Sequence, residues 1–170
     1  ITRKDNMPYL KKTPLCFLLI LLMCSCSSLY KDKNANNKNE IINTKIILIQ
    51  SHLNKGKLQS ALKLAQNIHK KHPDNHSTLR IMGIVSLALG NEQSALYFFK
   101  KSYKSKKSSS TLLNLSSLYI NKGNLSLARK MLVKIIKDKK YPSPERAYHN
   151  IGYSYEVEKD YSKAIKYYKR

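Results

Sequence analysis

His69, His72 and His76 are spaced by three and four residues, the step that stacks side chains on one face of a helix. Imidazoles so placed could ligate zinc. Pro73 lies among them and would end the helix, and Asp74 is the one carboxylate nearby. We therefore reject a metal face here. Cys24 and Cys26 form a second candidate pair, but a thiol pair inside an apolar leader has no further ligands. The 10 acidic residues are sparse and scattered, and no nucleophile sits beside a base in a recognisable arrangement. The reading is a non-enzyme without cofactor or metal.

The cysteines carry a different chemistry. All three, Cys16, Cys24 and Cys26, fall in the first 26 residues, so the remainder has no disulfide framework. Residues 7–30 read MPYLKKTPLCFLLILLMCSCSSLY, with Met7 as a plausible start. Lys11 and Lys12 precede a nine-residue apolar run, Leu15 to Met23. That run is short of the ~20 residues needed to span a bilayer and fits the core of a secretory signal. The step from Ser25 to Cys26 resembles the lipobox of bacterial lipoproteins, in which the cysteine is lipidated and becomes the N-terminus. Cys26 is the lipid-attachment candidate, Cys24 the second choice, and a cleaved signal with incidental cysteines the plain alternative. Residues 1–25 are thus upstream sequence and signal, and residues 26–40 the lipidated cysteine with a polar Asn/Lys-rich linker. By resemblance to sorting rules in enteric bacteria, Ser27 rather than Asp after Cys26 implies the outer membrane.

The 170 residues carry 32 Lys and Arg against 10 Asp and Glu, a formal charge of +22. Such an excess suits nucleic acid. Only five of these cations are Arg, the better phosphate fork, and the Lys/Asn/Ile-rich mixture is what AT-rich coding sequence produces.

From residue 41 the chain becomes helical in pattern and repeats itself. Ala61, Ala95, Ala128 and Ala164 stand 34, 33 and 36 residues apart. Gly56, Gly90, Gly123 and Lys159 each precede one of them by five residues. This period, with two helices per unit, resembles the tetratricopeptide repeat. The implied fold is all-α, a stacked superhelix over 41–170 with units of about 42–75, 76–108, 109–144 and a fourth, 145–170, that stops short. The fourth unit ends before its pattern does, which leads us to expect a longer native chain. Small residues at the eighth and twentieth positions let the helices of a unit cross closely, the first unit departing with Ile49 at its eighth position. Large apolar residues around them fill the crossing.

The resemblance implies that positions 2, 5, 9 and 12 of each first helix line a groove for partner peptides. These include Ile46, Gln50 and Leu53, then Arg80, Ile84 and Leu87, then Leu113, Ser117 and Ile120, and finally Arg146, His149 and Tyr153. None of the sixteen such positions is Lys and two are Arg. A nucleic-acid track needs clustered phosphate contacts, so this groove argues against nucleic acid. Ile46 and Gln50 also depart from the basic clamp with which some chaperone cofactors hold a C-terminal carboxylate. An apolar strand or amphipathic helix of a protein is the expected occupant.

The 36-residue step contains Tyr141-Pro-Ser-Pro144. Pro142 stops one helix, Ser143 is placed to cap the next, and Pro144 suits its first turn. Residues Tyr141, Pro142, Pro144, Arg146, Ala147, Asn150 and Gly152 resemble the Y-P-x-P-x-R-A-x-x-N-x-G element of type IV pilus biogenesis lipoproteins, the secretin pilotins. That resemblance implies an envelope scaffold, anchored by Cys26 in the outer membrane and facing the periplasm, that assists assembly of a pilus secretin. A repeat lipoprotein serving β-barrel or cell-wall machinery is the alternative, with a basic nucleic-acid-binding repeat protein behind it.

Overall fold

The computed structural model describes residues 37–170. Residues 42–170 form one compact unit. The signal, Cys26 and most of the linker lie outside the described residues. Residues 37–40, read above as the end of that linker, are already helical. The apolar positions that follow, Ile42, Ile46 and Ile49 at helical spacing, carry the helix, and its polar first turn simply extends it.

The described residues form eight helices: α1 (37–54), α2 (Leu58–Lys71), α3 (His76–Ala88), α4 (Glu92–Ser105), α5 (Ser109–Asn121), α6 (Leu125–Ile136), α7 (Glu145–Val157) and α8 (Tyr161–Tyr168). No strand is present among them. Consecutive helices pack in order along 42–170, giving four antiparallel pairs.

Each pair closes on its small residues. Ala61, Ala95, Ala128 and Ala164 are at most 2% exposed, and Gly83, Ser116 and Gly152 opposite the last three are buried. The core is continuous through shared side chains. Ile84 packs against both the cluster of Ile49, Ala65 and Val85 and that of Phe99 and Leu118. Tyr103, Tyr119 and Met131 join the latter to the cluster of Leu132, Ile135 and Ile151. Fully burying one such side chain contributes about 1.5–3 kcal/mol. No unit has enough of these to stand alone, which is why the pairs stack.

Local polar groups set the helix ends. Asn75 Oδ1 accepts from Ser77 N at 2.9 Å and Thr78 N at 3.1 Å, Asn91 Oδ1 from Ser94 N at 3.0 Å, and Asp160 Oδ1 from Lys163 N at 3.1 Å. At the double-proline turn the expected Ser143 cap is not made. The boundary residue of α7 is Pro144, with φ −64° and ψ −24° and no side-chain cap. Pro144 thus holds helical φ and ψ, as the first turn requires, and Tyr148 N donates to its carbonyl at 3.2 Å. Asp138 organises this turn instead, accepting from Ser109 Oγ at 2.5 Å and Lys140 N at 3.0 Å.

Candidate functional site

The first helix of each pair, α1, α3, α5 and α7, contributes the expected groove positions, but unequally. Ile46, Leu113 and Ile120 are at most 5% exposed and belong to the core clusters. Leu53, Ile84 and Leu87 are half-buried against those clusters. Gln50, Arg146, His149 and Tyr153 are exposed, and Arg80 and Ser117 half-buried. The aliphatic positions that suggested an apolar groove are thus largely spent on packing between neighbouring helices.

Among these positions a cleft of about 430 Å³ of mixed polar and apolar lining opens between α5 and α7. Leu113, Ser117, Arg146 and His149 line it, as do Asn114, Glu145 and Asn150. Asn114 and Asn150 were missed as groove residues. They occupy the sixth position of consecutive units, 36 residues apart, and that repetition was the available signal. The cleft thus takes in sixth-position residues beside those of positions 2, 5 and 9.

The two asparagines are not equivalent. Asn150 Nδ2 donates to Ser117 Oγ at 2.9 Å, and Ser117 Oγ donates on to the Leu113 carbonyl at 3.1 Å. This chain ties α7 to α5. Asn114 Nδ2 is buried with no hydrogen-bond partner. Leaving such a donor unsatisfied costs about 1–3 kcal/mol. Asn114 as a residue lines the cleft.

Charge converges on the same face. Arg80 on α3 lies within electrostatic reach of Arg146 on α7. Burial pulls the Arg80 guanidinium below its ordinary range, the Arg146 charge adds to this, and Tyr141 partly opposes it. Among the described residues neither arginine takes part in an ion pair. Both remain cationic, since a guanidinium does not deprotonate in a protein. Arg146 lines the cleft and Arg80 adds a second positive charge within electrostatic reach of it, a combination that favours an anionic guest.

The histidine trio rejected above sits elsewhere. His69 packs edge-on against Phe98 with centroids 5.5 Å apart. Among the described residues no group of three or more His, Cys, Asp or Glu is arranged to hold a metal. No helix among them is long and apolar enough to cross a membrane.

Paired antiparallel helices closed on glycine and alanine, at this period, define a tetratricopeptide-repeat fold. Residues 109–137 and 145–170 match the tetratricopeptide repeat family. The fold resembles Pseudomonas aeruginosa pilF with a TM-score of 0.69 at 18% identity, over 77% of this chain and 60% of that one. It likewise resembles PilW, described as a widely conserved type IV pilus biogenesis factor, with a TM-score of 0.68 at 19% identity, over 75% and 59%. A protein of Cyanophora paradoxa, ycf37, is 36% identical over 73 residues, 42% of each chain. The chain thus spans about six tenths of either pilus protein and four tenths of ycf37.

Proposed function

We propose that this chain is a protein-binding scaffold that holds an extended segment of a partner in the α5–α7 cleft. The observation that carries this reading is the buried, unpartnered Asn114 amide. A backbone carbonyl of the guest meets that amide, and an acidic group of the guest meets Arg80 and Arg146. The guest is accordingly more polar than the apolar strand the groove positions alone suggested.

The finer reading is an outer-membrane lipoprotein, anchored through Cys26 and facing the periplasm, that assists assembly or localisation of a type IV pilus secretin. Three things support it: the lipobox-like Ser25-Cys26, the double-proline element from Tyr141 to Gly152, and the fold shared with pilF and PilW. A single acyl chain binds a membrane only marginally, whereas two or three hold firmly, so lipidation at Cys26 would fix the scaffold in place.

Deleting the gene and assaying secretin multimers tests the role. Loss of multimers, restored by the wild-type chain, supports it, and normal multimers with normal twitching overturn it. Metabolic labelling with radioactive palmitate tests the anchor. Undiminished label in Cys26→Ala would overturn attachment at that residue.

A further inference from the structure

A second groove runs along the outer side of α6 and is independent of the α5–α7 cleft. A cavity of about 620 Å³ lies between α6 and α8, with Ile151, Tyr155 and Tyr167 beneath it. It shares Leu127 and Lys130 with a cavity of about 480 Å³ at the start of α6. It shares Val133, Lys137 and Tyr167 with one of about 260 Å³ toward Arg170. Together they follow the 12 residues of α6, a length of about 18 Å at 1.5 Å per residue.

The chemistry of this groove is mixed in a specific way. Leu127 and Val133 leave 42% and 40% of their surface exposed along it. Lys130, Lys134 and Lys137 rim it, all exposed, and none has an ion-pair partner among the described residues. The lining carboxylate, Glu158, is already held by Arg129 at 2.8 Å. A groove that is apolar along its middle and toward Arg170 and lined with unpaired ammonium groups accepts a ridge of apolar side chains flanked by acids. A second copy of this chain is a poor occupant, because its own formal charge is +22. A lipid surface or nucleic acid would use the lysines but leave Leu127, Val133 and the tyrosine-lined floor unused.

We propose that the α6–α8 groove binds an acidic amphipathic helix of a partner protein, its apolar stripe on Leu127 and Val133 and its flanking carboxylates on Lys130 and Lys134.

The probe is a synthetic helical peptide of about four turns, with leucine on one face and glutamate on the others, and its lysine-for-glutamate counterpart. Binding is read by fluorescence anisotropy with the intact chain. The glutamate peptide should bind the wild type and lose at least about tenfold in affinity against Lys130→Glu/Lys134→Glu, where like charges oppose. The lysine peptide should show the reverse preference. Lys104→Glu, exposed on α4 and outside both grooves, should leave both unchanged. Leu127→Ser/Val133→Ser should weaken the glutamate peptide without altering its preference for lysine over glutamate at the rim. Equal binding of the glutamate peptide to wild type and charge reversal overturns the proposal. So does absence of peptide binding where phosphatidylglycerol vesicles or duplex DNA still bind through Lys130 and Lys134.

Discussion

Gly83 faces the ring of Phe99 so closely that a β-carbon at 83 would stand 2.5 Å from Cε1. The same contact recurs two units on, where a β-carbon at Gly152 would stand 2.7 Å from the Tyr168 ring. These are equivalent positions of the repeat, a glycine on the first helix and an aromatic on the second. The two sites differ in freedom: Phe99 is fully buried, whereas Tyr168 is 41% exposed.

Gly83→Ala should therefore destabilise the fold by about 1–3 kcal/mol, the usual result of overpacking, despite alanine's better helix propensity. Gly152→Ala should cost less, because the Tyr168 ring has solvent to move into. The Ala164 carbonyl oxygen, 3.2 Å from the added carbon, is backbone and yields less readily. Urea unfolding of both variants measures the difference, and equal losses would refute the packing argument.

Lys159 has φ 62° where the other units have Gly56, Gly90 and Gly123 at φ 68°, 76° and 74°. A left-handed conformation costs an L-residue about 1–2 kcal/mol, and glycine's greater unfolded-state entropy returns part of that. Lys159→Gly should raise stability by about 0.5–1 kcal/mol. Gly123→Ala should lower it through φ alone, since nothing lies within 4 Å of the added carbon. Thermal melts of the two variants should shift in opposite directions.

Acid should weaken the fold near neutrality through His69 and His76. Burial pulls both imidazoles below their ordinary value of 6.5. Lys101 adds to this at His69 against an opposing Asp74, and Lys106 and Arg80 add to it at His76. The unfolded chain then binds protons first, so stability rises with pH in this range. The contribution is complete above about 6.5 and is lost as pH falls from there through the lower folded values. A melt at pH 5.5 should lie below one at pH 7.5, and His69→Gln/His76→Gln should narrow the gap. Asp138 and Asp160 act in a separate window. Hydrogen bonds hold their carboxyls below the usual 3.8, so their contribution is lost only under stronger acid.

Asn114→Leu should separate stability from binding. Removing a buried unsatisfied amide should leave stability unchanged or raise it by up to about 1–3 kcal/mol. The same change should weaken any peptide held in the α5–α7 cleft. Arg146→Ala should weaken acidic peptides more than neutral ones, because a charge-assisted bond is lost. Titration of the variants with acidic and neutral peptides, alongside their melts, checks both. Lower stability with unchanged binding would assign Asn114 to the core instead.

Much of this was legible in one dimension. The alanines at steps of 34, 33 and 36 and the residues five before them announced helix pairs of this type, and Phe99, Leu132 and Ile151 are among the large apolar side chains buried around the crossings. The groove was read less well. Ile46 and Ile120 sat at positions assigned to ligand contact yet packed inward, while Asn114 and Asn150 joined the expected Leu113, Ser117, Arg146 and His149 around the cleft. A step of one residue turns a side chain by about 100°, and the repeat pattern does not resolve which neighbouring helix claims it.

Period, pairing and the left-handed turns were determined by the sequence itself, because each depends on steric choices within a few residues. Folding in three dimensions decided the rest: the approach of Arg80 and Arg146, 66 residues apart in the chain, to within electrostatic reach, the orphaned Asn114 amide, and the lysine-lined groove along α6. Those depend on how successive pairs stack, and stacking is set by contacts that no local spacing specifies.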